Sequence, residues 1–216
     1  MEAGTLPFKC VAIDIDGTLI DTARPIVASF RQALLEETGR AYKEEELHWI
    51  LGIPGPAALE RLGVQDVEAV LRRWDTYAGQ YDYRDSIFPG IVELLAGLRD
   101  AGVTLGLVTS RTRAEFDRDF VPLGLMEHFR AAVCADDVER PKPNPDPLLK
   151  LMADTGFGPG EVLYVGDTLY DSQCARAAGV PFALALWGAL DPTLPCDYPV
   201  AHPADLLHLA TGARRW

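Results

Sequence analysis

Five short, almost entirely apolar segments recur along the chain and constrain its fold more than any other feature. They are Lys9–Ile13, Val103–Val108, Ala131–Cys134, Val162–Val165 and Phe182–Leu186. Strands covered by helices on both faces carry such runs, and parallel sheets are covered in this way. The segments therefore predict the strands of a parallel sheet.

Helical patterns lie between the apolar segments. Ile91, Leu94, Leu95 and Leu98 recur at helical spacing before Gly102, and a second stripe follows Pro147. A third helix is predicted over Asp171–Ala178, and a short one over Ala204–Leu209 after a Pro-rich loop at Leu190–Pro203. Strands that alternate with helices indicate crossover connections. We therefore expect an α/β fold with a Rossmann-like parallel sheet core.

One long stretch, from Thr22 to Ile87, breaks the alternation because it carries helical stripes and no strand pattern. We expect helices from Ile26 to Gly39, over Glu44–Leu51 and Ala57–Leu62, and after the N-cap Asp66. The stretch is too long for a simple crossover. We predict a core formed by residues 1–21 and 88–216, with an inserted all-helical cap subdomain at residues 22–87.

The charge balance limits the possible partners. The 216 residues include 32 acidic and 20 basic side chains, for a net charge of −12. Nucleic-acid and anionic-membrane surfaces need clustered Lys and Arg, so we expect neither partner. A small anionic substrate remains compatible, since a metal ion can reverse the local charge. Four scattered cysteines and no apolar signal segment favour the cytoplasm. The sequence predicts no oligomeric state.

Polar side chains follow four of the predicted strands. They occur in Asp14-Ile15-Asp16-Gly17-Thr18, in Thr109-Ser110, in Arg140-Pro141-Lys142-Pro143 and in Gly166-Asp167-Thr168 with Asp171. Ligands of open α/β sheets bind beyond the carboxyl ends of the strands. We therefore expect these side chains to form one site.

The chemistry of that set favours a metal ion and a phosphate group. Asp14 and Asp16 are two residues apart on an extended chain, so they point the same way and need a cation between them or a shared proton. Carboxylates without His or Cys suit Mg²⁺. Gly17 allows a sharp turn that presents backbone N–H groups to an anion, and Thr109, Ser110 and Lys142 can bind its oxygens.

The ordered set of motifs resembles the haloacid dehalogenase superfamily of hydrolases. Asp14 to Leu19 matches its DxDGT(L) motif, Thr109 its second motif and Lys142 its third, while Gly166-Asp167 with Asp171 matches the fourth. The resemblance runs from about residue 9 to residue 190. The chain is similar to the branch of phosphoglycolate phosphatases and pyrophosphatase-like members, with a small helical cap.

The resemblance implies roles for these residues. Asp14 would attack phosphorus and form an aspartyl-phosphate, and Asp16 would protonate the leaving oxygen and then activate water. Mg²⁺ would be held by Asp14, the Asp16 backbone carbonyl and Asp167, with Asp171 ligating or orienting. The implied activity is a Mg²⁺-dependent phosphatase acting on a small phosphorylated metabolite.

Several alternatives remain open. A phosphomutase would share every core motif, and a receiver-like signalling module would also place a phosphorylated Asp beside Mg²⁺. Asp171 could be only a helix N-cap. Arg111 and Arg113 could reach a substrate, but both are expected to be solvated residues at a helix start. In the cap, His48, Trp49 and the segment Ile53–Pro56 are candidates for a specificity pocket, and Trp49 is equally a candidate for the cap core. Trp187-Gly188 could border the pocket but is expected to serve packing.

Overall fold

The computed structural model describes residues 7–212 and contains one six-stranded sheet. Its strands are β1 Cys10–Ile13, β2 Thr104–Val108, β3 Ala131–Val133, β4 Val162–Gly166, β5 Phe182–Ala185 and β6 Tyr198–Val200. They lie in the order β3-β2-β1-β4-β5-β6, and all are parallel. The predicted α/β fold with a parallel sheet is confirmed, and the five predicted strands are observed to within one residue at each end.

The sequence pattern does not predict β6, because the segment Leu190–Pro203 that contains it indicates an irregular loop. The strand has three residues, lies at the sheet edge and contains Pro199. Proline removes a ladder donor, and a sheet tolerates it mainly at an edge. So short a strand with a proline gives no recognisable strand pattern.

The α-helices of the described residues are α1 Ala23–Thr38, α2 Gly55–Arg61, α3 Val67–Ala78, α4 Ile91–Asp100, α5 Arg113–Glu115, α6 Asp146–Thr155, α7 Leu169–Ala178 and α8 Pro203–Thr211. The short α5 continues into a π-helical turn at Phe116–Phe120. Side chains alternate across the sheet. In β1, Val11 and Ile13 belong to the core cluster that includes α4 and α8, whereas Cys10 and Ala12 belong to the cluster that includes α6 and α7. Helices thus cover both faces, which explains the unbroken apolar runs.

The helical insert has a hydrophobic core of its own. α1 packs mainly on α3, and Val27, Phe30, Leu34, Leu59 and Val70 are among its buried residues. Gly39 ends α1 with a left-handed φ of 70°, and the side chain of Asp66 accepts from the Ala69 N–H at 2.9 Å at the start of α3. Both helix boundaries agree with the sequence prediction.

One predicted helix of the insert differs. The segment Glu44–Leu51 forms two short 3₁₀ turns, Glu44–Glu46 and His48–Ile50, instead of an α-helix. Leu47 and Ile50 are buried in the cap core, three residues apart. Three-residue spacing matches the 3₁₀ period, so packing favours tight turns over a continuous helix.

The chain enters and leaves the insert at one place, where a backbone bridge joins Ile20 to Ile87. The division into residues 1–21 and 88–216 against 22–87 stays our prediction, and its ends at 1–6 and 213–216 lie outside the described residues. Among residues 7–212, no helix combines the length and the apolar composition that crossing a membrane requires.

Candidate active site

The strand order places a crevice beside β1. In the sheet, β1 lies between β2 and β4. The chain leaves β1 toward β2 on one side and leaves β4 toward β5 on the other side. Ligands of open sheets bind at such a switch point in strand order. Asp14 follows β1, and its N–H donates to the carbonyl of Val165 in β4 at 2.9 Å. Thr109 follows β2, and its N–H donates to Val133 in β3 at 3.0 Å. The sheet thereby fixes the backbone from which the site residues project.

The loop after β1 turns sharply and requires glycine. Gly17 has a φ of 76°, and a Cβ added there would overlap the carboxylate of Asp167. The Thr18 hydroxyl donates to the same carboxylate at 3.0 Å. A second close approach supports this loop from the turn after β5, because a Cβ on Gly188 would overlap the carbonyl oxygen of Gly17. Trp187 donates its indole N–H to the Thr18 carbonyl at 2.9 Å, so Trp187-Gly188 packs against the loop.

A buried ion cluster joins three of the motifs. The Lys142 ammonium lies 2.8 Å from Asp14 Oδ1 and 2.8 Å from Asp171 Oδ1, and 3.2 Å from the Tyr164 hydroxyl. These residues are 2% exposed or less. The ammonium has three donors, and these contacts use them. In this arrangement Lys142 offsets carboxylate charge, and its contact with a phosphoryl oxygen stays a prediction.

The cluster contains more carboxyl groups than cations. Burial, followed by the charges of Asp171 and Asp16, raises the pKa of Asp14 to about 7 although Lys142 opposes the rise. Burial and Asp171 also raise the pKa of Asp167 well above its usual range. Carboxylate oxygens of Asp14, Asp167 and Asp171 lie within 4.8 Å of one another. If all three carboxylates are ionised, the single ammonium leaves a formal charge of −2, which a divalent cation with oxygen ligands would neutralise.

Asp171 uses both oxygens within the protein. Oδ1 accepts from Lys142 and Tyr164, while Oδ2 accepts from the Thr168 N–H at 3.1 Å and from its hydroxyl at 2.5 Å. The N-cap of α7 is Thr168, and Asp171 is its partner in a capping box. The interpretation of Asp171 as the N-cap itself was therefore wrong. The engaged oxygens favour an orienting role over direct metal ligation.

Asp16 points toward the cap side of the site. Its carboxylate accepts two hydrogen bonds from Arg111, at 2.8 and 2.7 Å, and one from the Thr22 hydroxyl at 2.7 Å. Burial alone would raise the pKa of Asp16, but the Arg111 guanidinium outweighs burial and lowers it below its usual range. In this arrangement Asp16 is an ionised carboxylate.

The expectation that Arg111 is solvated was wrong. Arg111 is 9% exposed and also donates to Asp119 at 2.8 Å, while its guanidinium lies 5.3 Å from the Tyr83 ring. Arg118 donates twice to Asp119 and once to Asp75 of α3, so a ladder of ion pairs runs from Asp16 to the cap. Asp16 lies far from Arg111 and Asp119 in sequence, and no spacing pattern in the chain predicts that Arg111 pairs with both carboxylates.

Two hydroxyls that were candidates for phosphate contacts make other contacts here. The Thr109 Oγ1 accepts from the Arg111 N–H at 3.1 Å. The Ser110 hydroxyl donates to the cap carbonyl of Gly52 at 2.7 Å. Tyr170 of α7 makes a parallel contact, because its hydroxyl donates to the carbonyl of Trp49 at 3.2 Å. Phosphate binding by Thr109 and Ser110 stays a prediction.

A cavity of about 420 Å³ lies over Asp14 and Asp16, between core and cap. The segment Ile53–Pro56, a candidate for the specificity pocket, lines this cavity. Trp49 does not line it. The centroid of its ring lies 4.2 Å from the Cζ atom of Arg61, which also belongs to the cap.

The chain is similar to proteins of known activity. It is 32% identical to the N-acetylmuramic acid 6-phosphate phosphatase of Pseudomonas aeruginosa, over 95% of this chain and 96% of that protein. It is 30% identical to the phosphoglycolate phosphatase of Escherichia coli, over 79% of this chain and 78% of the relative. These are phosphatases of the branch suggested by the motifs, which is thereby confirmed, and an enzyme is supported over a receiver module.

A solved structure agrees with the sequence relationships. A HAD-superfamily hydrolase, subfamily IA, variant 1, from Geobacter sulfurreducens superposes with a TM-score of 0.71 at 32% identity, over 94% of this chain and 99% of that one. The model of the haloacid dehalogenase-like hydrolase family matches residues 11–185, which include every motif residue of the site. The chain belongs to the haloacid dehalogenase-like hydrolase family.

Proposed function

We propose that the chain is a Mg²⁺-dependent phosphatase that hydrolyses small phosphomonoesters through an aspartyl-phosphate on Asp14. The observation that carries this proposal is the buried cluster of Asp14, Asp167, Asp171 and Lys142. With its carboxylates ionised the cluster has a formal charge of −2, and its member Asp14 lines a small-molecule cavity. The related phosphatases act on small phosphorylated compounds, as their names state.

In this proposal Asp14 and Asp167 hold the metal together with the Asp16 backbone carbonyl, while Asp171 orients the cluster. When bound, Mg²⁺ supplies the positive charge that lets a dianionic phosphate approach a carboxylate. Lys142 holds Asp14 Oδ1 at 2.8 Å and so fixes the orientation of the attacking carboxylate. Gly17, Thr109 and Ser110 would donate to the phosphoryl oxygens.

Asp16 would perform both proton transfers. Arg111 and Thr22 hold it as a carboxylate, which is the form that accepts a proton from the water that hydrolyses the aspartyl-phosphate. To protonate the leaving oxygen, the same group must carry a proton. Because a guanidinium disfavours that form, the first step requires Asp16 to loosen its pairing with Arg111.

The test is release of inorganic phosphate from p-nitrophenyl phosphate, with Mg²⁺ and after its removal by EDTA. Asp14→Asn should abolish turnover, and Asp16→Asn should lower it by about 10²–10⁴-fold. Asp154→Asn, on the exposed face of α6, is the matched control and should keep the wild-type rate. Wild-type turnover in Asp14→Asn would contradict the mechanism. A phosphomutase predicts phosphate transfer to a second hydroxyl instead of phosphate release, so the same assay separates the two activities.

A further inference from the structure

The cavity over Asp14 and Asp16 is small and partly closed by the cap. Its volume of about 420 Å³ falls near the lower end of the range of about 300–1,000 Å³ that holds small molecules. Asp14 and Asp16 lie at its floor, so the group that leaves from phosphorus must occupy the space between them and the cap. The chemistry of the walls therefore selects the leaving group.

The cap side of this cavity is mainly apolar. Its lining includes Ile26, Ile50, Ile53, Leu71, Trp74 and Tyr83. Trp74 is held in place by three contacts. Its indole N–H donates to the Ser29 hydroxyl at 3.0 Å, and its ring meets Phe30 edge to face with centroids 4.8 Å apart. A Cβ on Gly55 would meet the same ring at 2.5 Å, so the backbone closes on it as well. A fixed aromatic and aliphatic surface binds a ligand by an apolar face.

The two inner arginines of the cavity wall are already paired. Arg111 donates from Nε and one Nη to Asp16 and from its other Nη to Asp119. Arg118 donates from Nε and one Nη to Asp119 and from its other Nη to Asp75. Each guanidinium thus has all three nitrogens engaged by carboxylates. Two N–H groups of each guanidinium remain, but a second negative group that reached them would lie at close range to the same carboxylates, where like charges repel.

The third arginine lies at the rim. Arg72 has a side chain that is 70% exposed and pairs with Glu68 at 3.3 Å, so solvent screens its charge. The remaining ionisable side chains of the lining are acidic, and five carboxylates face three arginines in total. Without Asp14 and Asp16, three carboxylates balance the three arginines. The lining therefore has no net positive charge to bind a second anion, whether or not Asp14 and Asp16 are counted.

We propose that the leaving group of the physiological substrate is an uncharged alcohol that presents an apolar face, such as a sugar or aryl ring. A carboxylate or a second phosphate is disfavoured. This substrate class rests on the proposed phosphatase function and narrows it. It sets the chain apart from phosphatases of phosphoglycolate, whose leaving group carries a carboxylate.

Two matched substrate pairs test this proposal with the full chain and Mg²⁺. Phenyl phosphate is compared with 4-carboxyphenyl phosphate, and 2-hydroxyethyl phosphate with 2-phosphoglycolate. In the first pair a carboxylate replaces a ring hydrogen, and in the second pair it replaces a hydroxymethyl group, so the members of each pair differ by one negative charge. We expect kcat/KM to favour the neutral member at least about tenfold in both pairs. Equal or greater kcat/KM for the carboxylated members overturns this inference but leaves the proposed phosphatase function standing. No phosphate release from any of the four overturns the proposed function as well.

Variants of the cap give a second readout that does not depend on the amount of folded enzyme, because it is a ratio between substrates. Leu71→Lys adds a cation to the cavity wall and should shift the ratio at least about tenfold toward the carboxylated members. Leu35→Lys is the matched control, since Leu35 is 44% exposed on α1 and does not line the cavity. Arg72→Gln should leave the ratio within about twofold of wild type. A larger shift in Arg72→Gln would show that the rim arginine receives an anion, and would overturn the inference.

Discussion

Replacing Lys142 with methionine tests the charge balance of the buried cluster. The methionine side chain keeps most of the lysine's length and apolar volume, so the change removes the ammonium without opening a large cavity. Asp14 and Asp171 would then be buried without their cation, since each lies 2.8 Å from Nζ. Two lost charge-assisted hydrogen bonds are worth about 1.5–3 kcal/mol each. Removing one partner of a buried ion pair costs about 3–5 kcal/mol, and we expect a loss in that range.

The matched control is Lys150→Met. Lys150 pairs with Asp154 at 3.0 Å across one turn of α6, and the two side chains are 39% and 42% exposed. Such a pair contributes about 0.3–0.5 kcal/mol. The free energy of unfolding of both variants is measured by urea denaturation at neutral pH without metal. If Lys142→Met loses no more stability than Lys150→Met, the ammonium does not offset the buried carboxylates.

A double-mutant cycle with Asp171→Asn tests the physical reason. Asparagine keeps an acceptor oxygen for the Thr168 N–H but removes one buried charge. The double variant Lys142→Met with Asp171→Asn should therefore lose less than the sum of the two single losses, by about 1–3 kcal/mol. A coupling energy within about 0.5 kcal/mol of zero would refute the charge argument even if Lys142→Met is unstable.

Further predictions concern backbone packing and the buried thiols. Gly188→Ala should lower kcat at least about tenfold and cost about 1–3 kcal/mol, because its Cβ would displace the Gly17 carbonyl; Gly160→Ala, with nothing within 4 Å, should leave both values near wild type. A normal rate in Gly188→Ala would mean that the loop after β1 tolerates displacement. Burial raises the pKa of the thiols of Cys10, Cys134 and Cys174 to about 12. Unfolded thiols lose their proton above about pH 8.5 and the folded ones only near pH 12, so the folded state binds more protons and stability should fall as pH rises between these values. Each thiol contributes a slope of about 1.4 kcal/mol per pH unit in that window. Cys10→Ala should reduce the slope by one such contribution, as measured by urea unfolding at several pH values, and an unchanged slope would refute the shift.

The sequence predicts the parts of the fold that depend on local pattern. β1 and β4 are almost unbroken apolar runs because helices cover both faces, and a strand buried in this way carries mainly apolar side chains. Glycine at position 39 marks the end of α1, where a left-handed φ is needed. The same pattern does not predict β6, because an edge strand needs neither an unbroken apolar run nor a backbone N–H donor at every residue.

The site is most predictable where its residues follow strand ends. Asp14, Thr109 and Asp167 are predicted from the sequence because parallel strands deliver their carboxyl ends to one edge. Arg111 is misjudged because its environment depends on Asp119, which a π-helical turn brings back to it. Tyr164 is missed for a related reason. It lies within an apolar strand, and only the fold reveals that its hydroxyl donates to Asp171 at 2.7 Å.

The cap is held to the core partly through its backbone. Ser110 and Tyr170 of the core donate to the carbonyl oxygens of Gly52 and Trp49, and every amino acid supplies such an oxygen. Substitutions in the neighbouring loop can therefore alter what the enzyme recognises while these two anchors persist. The contacts that hold the cap on the core are thus partly independent of the residues that determine substrate specificity. A new specificity could therefore evolve without a change in how the cap docks on the core.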